Sequence, residues 1–547
     1  VIAAASAAGQ LRPPRSSAKV ALILFAAAFV LYVTPGRFHG GGDATPAELL
    51  PIAVLHGHGF DLSEFAERNG TIPYYFSYRS GRILSSYPVL PGLLNVPVFA
   101  AARVFHVDLV DRRRRLSLLT SAGITAASVA FLFLALERLT DSRRQAMAFS
   151  ALYAFGTNAW SNGAVSIMQH GPSLFFLTGA LAALLARRNR LVPLAGLCLG
   201  FAVANRPTNL AFALPLALFV LLERRRSFPA FAALAAIPAA LLFAYSETYW
   251  GSWRWLGQAQ GGWGFDGDPG RTLPGLLVSP SRGLFVFTPF FVFAFLNGFL
   301  LFVRRGASVL LRCLFAGCLL LLGVYAFWGA WWGGESFSYR LLTEMSPALV
   351  LVTADGWRRW IGATALRRAA FAVAAGFSVV VQFLGVTGFP SKFNEGIDQE
   401  TRRLWDWKRS ELIFSGANFL RHVHLRKNEL IVEHRPTPPA PEGWFEEPAE
   451  GDTIRGSTVR GSGWAACADG IARIEVLLDS HDVGSATYRQ FRPAVRRVKP
   501  DVECGDFCGF RYRIDGVRPG RHTIQTRFFG RQGGTTSPPA VTIRVGS

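Results

Sequence analysis

In the stretch FHGGGDATPAELLP, Phe38 to Pro51, one carboxylate stands on a run of glycines directly before a helix start. Thr45 can cap that helix, Pro46 suits its first position, and Glu48 sits where a capping box places its acid. None of this requires Asp43. Glycines would let that residue come close to a ligand, and the plain alternative is a turn-forming aspartate. The other candidates are mostly cations: Arg112, Arg113, Arg114 and Arg115 of VDRRRRL, Arg206 of NRPT, Arg282 of SPSRG, and Arg340, beside Tyr339, of GGESFSYR. A guanidinium presents a planar fork of donors that fits a phosphate, and each arginine could equally anchor a helix end at lipid headgroups. His170, beside Gln169, is a loop histidine that could bind a ligand or simply be solvated. Asp43 and His170 alone are too few ligands for a metal centre, so no metal site is assigned and a divalent ion is left open. Asp266 and Asp268 form a DxD pattern that lacks the soluble α/β domain in which such a pair holds a nucleotide sugar's metal.

Membrane spans must position these residues. The chain of 547 residues is 50% hydrophobic and 17% charged, with a mean hydropathy of +0.27, which describes a polytopic membrane protein with a polar appendage. Its net charge of +21 is almost all arginine, because the lysines are only Lys19, Lys392, Lys408, Lys427 and Lys499. The arginines sit in short clusters between apolar runs, a positive-inside pattern that argues against nucleic acid as a partner. Apolar runs near 19–34, 116–136, 145–158, 171–186, 191–205, 208–222, 228–247, 284–303, 312–330, 340–354 and 369–388 are the candidate spans. The first carries no small-residue cleavage signature after it and reads as a retained span.

A further run, Tyr87–Phe105, holds Pro88, Pro91 and Pro97. If it crosses, the arginine loops at 138–145, 186–190, 223–226 and 303–305 fall on the wrong side. If it is a re-entrant or surface-lying helix, these loops and the one at 355–368 are all cytoplasmic. That choice predicts about eleven transmembrane helices, the N-terminus inside and the C-terminus outside. It also puts VDRRRRL at the outer surface, against the rule, as a snorkelling anchor or an anionic-lipid site. Asp43 and the other candidates then share the outer side with His56, His58, Asp61, Arg79, Arg82, Glu247 and Glu335. Ionisable residues near mid-span are almost absent, which argues against an ion-coupled transporter.

Past residue 390 an amphipathic juxtamembrane segment leads into RPTPPAPEG, residues 435–443, a linker by composition. From about 444 the pattern alternates with period two, in IARIEVLLDS, GFRYRID, HTIQTRFFG and AVTIRV, between glycine-rich turns. This predicts an all-β immunoglobulin-like sandwich over 444–547, following a membrane domain over 1–390 and a connecting segment over 391–443. The C-x3-C spacing suggests a Cys504–Cys508 disulfide with Cys467 left over. No catalytic constellation stands out in this domain, so its expected role is packing, or binding an acceptor or a protein partner.

The segments GGDATPAELLP, SSYPVLPGLL, SPSRGLFVFTP and GGESFSYRLLTEMSPAL, in this order along residues 19–390, resemble the GT-C superfamily of integral membrane glycosyltransferases. They are most similar to its bacterial branch of protein O-mannosyltransferases and aminoarabinose transferases. The resemblance implies a multi-pass enzyme of the bacterial inner membrane. It would move a monosaccharide, with inversion, from a polyprenyl-phosphate donor to an extracytoplasmic acceptor: a glycan, a lipid-linked saccharide or a protein. It further implies Asp43 as general base on the acceptor hydroxyl. Substrate binding would fall to Arg112, Arg113, His170, Arg206, Arg282, Tyr339 and Arg340, with arginines facing the leaving lipid phosphate. One departure from the family is the second outward loop, TNAWSNGAVSIMQHG, which has no carboxylate where several members carry an acid. His170 or Gln169 would have to stand in for it. The competing expectations are a saccharide or lipid transporter, and a non-catalytic membrane subunit with an outer binding module.

Overall fold

The computed structural model describes residues 15–35, 41–65, 73–252, 264–334, 336–388, 391–394, 397, 401–429, 440–498, 504–531 and 533–546. It forms two compact units, Val1–Glu64 with Thr71–Val423, and Phe65–Gly70 with His424–Ser547. Most of the linker, all of residues 253–263, and Glu335 lie outside the described residues.

The first unit is helical: α1 (Arg15–Val33), α2 (Thr45–His56), α3 (Leu90–Val104), α4 (Leu109–Thr140), α5 (Arg143–Gly156), α6 (His170–Leu184), α7 (Val192–Asn205) and α8 (Leu210–Glu223) come first. They are followed by α9 (Phe228–Tyr245), α10 (Pro269–Val278), α11 (Leu284–Phe287), α12 (Phe291–Val303), α13 (Val309–Ala326), α14 (Ser346–Arg359), α15 (Ala365–Gly388) and α16 (Glu411–Glu429). A hairpin, β1 (Phe76–Arg79) and β2 (Arg82–Ser85), lies between α2 and α3. Among the described residues four helical stretches are long and apolar enough to cross a membrane: Leu109–Thr140, Arg225–Trp250, Val309–Ala326 and Ala365–Gly388. Six shorter apolar helices accompany them. The apolar run 284–303 is not one helix; Pro289 removes an amide donor and the chain breaks between α11 and α12. The proline-rich run forms the short α3, held where Asn95 donates to the Ala47 carbonyl (3.2 Å) and the Ser117 hydroxyl (2.7 Å).

Arginine-rich loops meet one another. Arg143 bonds Glu137 (3.0 Å) and the Ser17 hydroxyl (3.3 Å), Arg358 donates to the Leu139 carbonyl (2.9 Å), and Arg224 bonds Asn189. At the C-terminal end of α14, Asp355 pairs with Arg304 (3.3 Å) and Arg359 (2.8 Å). The opposite end of that helix follows Arg340. At about 1.5 Å per residue, the nine steps from Ser346 to Asp355 put roughly 14 Å of helix between them.

α7 and α9 cross at glycines. A Cβ on Gly196 would lie 2.1 Å from the Phe231 carbonyl oxygen, and one on Gly200 2.5 Å from that of Ala235. Close backbone approach at a small-xxx-small pair is a common way for helices to pack in lipid. Gly196→Leu must therefore push backbone against backbone. It is expected to cost about 3 kcal/mol or more of stability, read as a lowered thermal unfolding midpoint in detergent.

The second unit is built of strands β3 (Glu442–Glu447), β4 (Thr453–Arg455), β5 (Val459–Ala466), β6 (Ile471–Leu478), β7 (His481–Ser485) and β8 (Thr487–Gln490). The short helix α17 (Pro493–Val498), β9 (Gly509–Ile514), β10 (Gly520–Gly530), β11 (Thr535–Thr536) and β12 (Val541–Gly546) complete it. One sheet runs β4-β12-β10-β6-β7 with β11 on β10, the other β3-β5-β9-β8. Phe445, Val459, Phe510 and Tyr512 from one sheet and Ile474, Val476, Ile524, Phe528 and Ile543 from the other share one core. Among the described strands of this unit the pairings are antiparallel except one, β4 with β12, which is parallel. Cys504 and Cys508 are joined by a disulfide, and Cys467 is buried and not part of a disulfide.

One polar latch here sets a pH dependence. His522 Nδ1 meets Asp479 Oδ2 at 2.7 Å and its Nε2 meets the Arg518 carbonyl at 2.8 Å. Both partners only accept, so both ring nitrogens must carry protons. The hydrogen bond to Asp479 raises the His522 pKa, against partial burial; backbone donation from Thr523, then His522, lowers that of Asp479. The latch is thus complete between the two values. It is lost as pH rises through the raised histidine value, and at the acid end as pH falls through the lowered aspartate value. Hydrogen exchange around residues 518–524, corrected for intrinsic rates, is expected to quicken from pH 6 to pH 8. In His522→Phe it should be fast at both.

Candidate active site

Gly42, directly before Asp43, serves a protein contact, whereas a Cβ on Gly41 would meet nothing within 4 Å. A Cβ on Gly42 would lie 2.5 Å from the Tyr74 hydroxyl and 2.9 Å from Tyr75 Cδ1, so glycine lets the chain before the hairpin close on this turn. Asp43 sits in the single 3-10 turn Gly42–Ala44, with 19% of its side chain open to solvent. Its Oδ1 accepts from the hydroxyls of Tyr74 (2.9 Å) and Tyr87 (2.7 Å). Its Oδ2 accepts from Arg340 Nη2 at 2.8 Å. Burial pushes the carboxyl pKa up, but the Arg340 charge and the bonds from Tyr87, Arg340 and Tyr74 overcome it and hold the group below its ordinary value.

Arg340 is aimed by a strained turn. Ser338 has φ 60°, rare for a residue with a Cβ, and is held there from three sides. Its hydroxyl donates to Asn158 Oδ1 (2.8 Å) and accepts from the Tyr339 amide (2.6 Å), while its amide donates to Glu411 Oε2 (2.7 Å). The chain then enters the 3-10 turn Arg340–Met345. The loop TNAWSNGAVSIMQHG, expected to lie outside, contains a buried π-turn, Ala159–Ala164; just before and within it, Asn158 donates to Thr343 and Asn162 to the Phe337 carbonyl, which anchors the segment 337–343.

The same 3-10 turn carries Glu344, a residue the sequence reading passed over. Glu344 Oε1 lies 2.9 Å from His170 Nδ1 and 2.7 Å from Arg206 Nη1, and all three side chains are buried. Arg206 also bonds the Tyr325 hydroxyl and approaches His170 Nδ1 at 2.8 Å. One ring nitrogen cannot both donate to Glu344 and accept from Arg206. The charge-assisted bond to the carboxylate is the stronger, so Nδ1 carries the proton. His170 and Arg206 thus meet, as parts of a buried network with an acid between them.

Three expected substrate contacts are committed elsewhere. Arg282 is 1% exposed and forms an ion pair with the fully buried Glu411 (2.7 Å). It also donates to the carbonyls of Trp332 (2.8 Å) and Ser281 (2.7 Å) and to Asn394 Oδ1 (2.7 Å), which makes it a clamp between loops. The Tyr339 hydroxyl is buried against Thr288 Oγ1 (2.7 Å). Arg113 lies 3.4 Å, and Arg114 3.6 Å, from the 1%-exposed Glu48. The capping box is therefore not formed. Ala44 is the N-cap, no side chain caps α2, and Glu48 instead neutralises two arginines in the first turns of α4, where the helix dipole disfavours cations. Asp108 caps α4 by accepting from the amides of Val110 and Asp111, both at 2.9 Å. Arg112 and Arg115 remain exposed.

Among the described residues no group of three or more His, Cys, Asp and Glu side chains could hold a metal ion. His56 pairs with Glu64 (2.9 Å), and His58 lies 4.0 Å from the same acid. Arg79 and Arg82 stack over Trp250 and Tyr249.

No protein family matches the chain, and no curated protein is similar to it. Several solved structures show partial likeness, among them the following two. ArnT from Cupriavidus metallidurans bound to undecaprenyl phosphate is 13% identical over 80% of this chain and 82% of that one, with a TM-score of 0.44. Fibronectin(III)-like modules of Clostridium thermocellum CbhA are 18% identical over 20% of this chain, with a TM-score of 0.16, and the chain spans about half (49%) of their length. At these TM-scores neither likeness bears on the residues of the site.

Proposed function

We propose that this protein is a membrane glycosyltransferase. It moves a monosaccharide from a polyprenyl-phosphate donor to an acceptor hydroxyl on the outer side of the membrane, with Asp43 as base and Arg340 facing the donor phosphate. The observation that carries this is the pairing of a partly open carboxylate, 19% exposed, with a guanidinium whose other donors are poorly used. Arg340 Nη1 reaches only the Met168 thioether (3.6 Å), and its Nε is buried with no hydrogen-bond partner among the described residues. In the reaction Asp43 takes the proton from the acceptor hydroxyl as its oxygen bonds the anomeric carbon. The bond from that carbon to the phosphate oxygen breaks, and polyprenyl phosphate leaves with the electron pair. A cation beside that oxygen lowers the barrier as charge develops. The network of His170, Arg206 and Glu344 fixes the turn that carries Arg340. Transfer with inversion, a bacterial inner-membrane location and an outward-facing C-terminal domain belong to the same proposal.

Protein purified in nanodiscs is expected to carry a polyprenyl-phosphate sugar detectable by mass spectrometry, and to bind added undecaprenyl phosphate. Failure of both would set the proposal aside. A second reading, a non-catalytic membrane subunit, draws on the same ion pair: if Arg340 never leaves Asp43, no hydroxyl can reach Oδ2.

A further inference from the structure

Arg340 has two claims on it, and they conflict. In the structure its best contact is Asp43 Oδ2 at 2.8 Å, and that contact blocks the oxygen a base would use. A buried guanidinium donor without an acceptor is costly, at about 1–3 kcal/mol for a typical unsatisfied group. Arg340 has two such donors, the unpartnered Nε and an Nη1 that meets only a weak sulfur acceptor. An arriving phosphate oxyanion offers the planar, multidentate acceptor that neither Met168 nor a single carboxylate oxygen supplies.

We infer that the Asp43–Arg340 pair is a resting latch opened by the donor: the lipid phosphate takes Arg340 from Asp43, and only then is Asp43 free to act as base. The inference rests on the proposed function and adds an order to it, donor before acceptor. Once Arg340 turns away, the charged and titratable groups facing Asp43 are Tyr74 and Tyr87, both neutral donors to Oδ1. Glu344, toward the far end of the same 3-10 turn, is paired with His170 and Arg206. With its strongest cation gone and a phosphate nearby, burial dominates and the carboxyl becomes a better base. Without donor the latch keeps Asp43 weakly basic, so the site does not deprotonate acceptor unproductively.

The test is a double-mutant cycle on binding of undecaprenyl phosphate to protein in phosphatidylcholine nanodiscs, with phosphatidate as the competing phospholipid. Arg340→Gln should weaken binding about tenfold or more. Asp43→Asn, which releases Arg340 from its rival, should tighten it by about tenfold. Asp43→Asn should have no such effect in the Arg340→Gln background. An Asp43→Asn protein that binds no more tightly than wild type overturns the latch, as does an additive cycle. If wild type itself binds undecaprenyl phosphate no better than phosphatidate, the donor reading fails instead, and the two failures are distinct. Should Asp43→Asn not be recovered folded, calorimetry of wild type in two buffers of different ionisation enthalpy decides. Binding over about pH 4 to 7 should take up protons as the Asp43 pKa rises, beyond the uptake measured for Arg340→Gln. Equal uptake in the two proteins overturns the inference.

Discussion

Asp43→Asn is expected to lower sugar transfer by about 10²- to 10⁴-fold while leaving the protein folded. Asparagine keeps the size of the side chain, and its amide oxygen can still accept from Tyr74 and Tyr87, so the turn Gly42–Ala44 retains its main contacts. What is lost is the only group in the cluster able to take a proton at neutral pH, because both tyrosines act as donors and Arg340 has no lone pair to offer. Asp43→Glu should rescue little, because one extra methylene carries the carboxylate into the space held by the two phenols. Transfer of a radiolabelled sugar, measured beside the thermal unfolding midpoint of each variant, checks both halves. Full transfer by a folded Asp43→Asn protein removes Asp43 from the chemistry. A loss that tracks loss of folded protein reduces it to a turn residue tied to Arg340.

The sequence made the loops legible and their pairings illegible, for physical reasons. Apolar runs and arginine clusters are local properties, so the loops at 138–145, 303–305 and 355–368 could be grouped by charge alone. Arg358 on the Leu139 carbonyl and Arg304 on Asp355 join them in space. Asp43 and Arg340 could each be singled out because their surroundings gave them no local task. That they face each other is a fact about residues 297 positions apart, with no signature in either neighbourhood. Glu48 went wrong in an instructive way. A capping box is worth about 1 kcal/mol, whereas two arginines packed beside a helix N-terminus need a carboxylate far more, and the stronger demand took the residue. Glu344 could have been found by its type: an acid at the head of an apolar run is expensive there and seldom idle. Tyr339 looked available only because exposure cannot be read from a motif, and the Thr288 hydroxyl, 51 positions earlier in the chain, occupies it.

Arg282→Ala is expected to be the most destabilising single change in the helical unit, at about 3–5 kcal/mol, because it strands a buried carboxylate. Glu411 would keep one partner, the Ser338 amide, and lose its counter-charge, while the carbonyls of Trp332 and Ser281 and the Asn394 side chain would lose a donor. Burial already pushes the Glu411 pKa up to about 7 against the Arg282 charge. A carboxyl raised on folding binds more protons folded than unfolded. The stability tied to Glu411 therefore falls as pH rises from the ordinary carboxyl range through about 7, and removing Arg282 extends that fall further. The damage in Arg282→Ala should accordingly be smaller at pH 5, where Glu411 takes a proton and loses its charge, than at pH 8. Arg282→Lys should recover only part of the loss, since an ammonium cannot reach acceptors on several loops at once as a guanidinium fork does. Pairing Arg282→Met with Glu411→Leu should recover more, because an apolar pair of similar volume needs no desolvated charges. Thermal unfolding midpoints of wild type and these three variants at the two pH values test the whole scheme. If Arg282→Ala unfolds like wild type at pH 8 but binds undecaprenyl phosphate poorly, Arg282 belongs to the substrate site that the sequence first suggested.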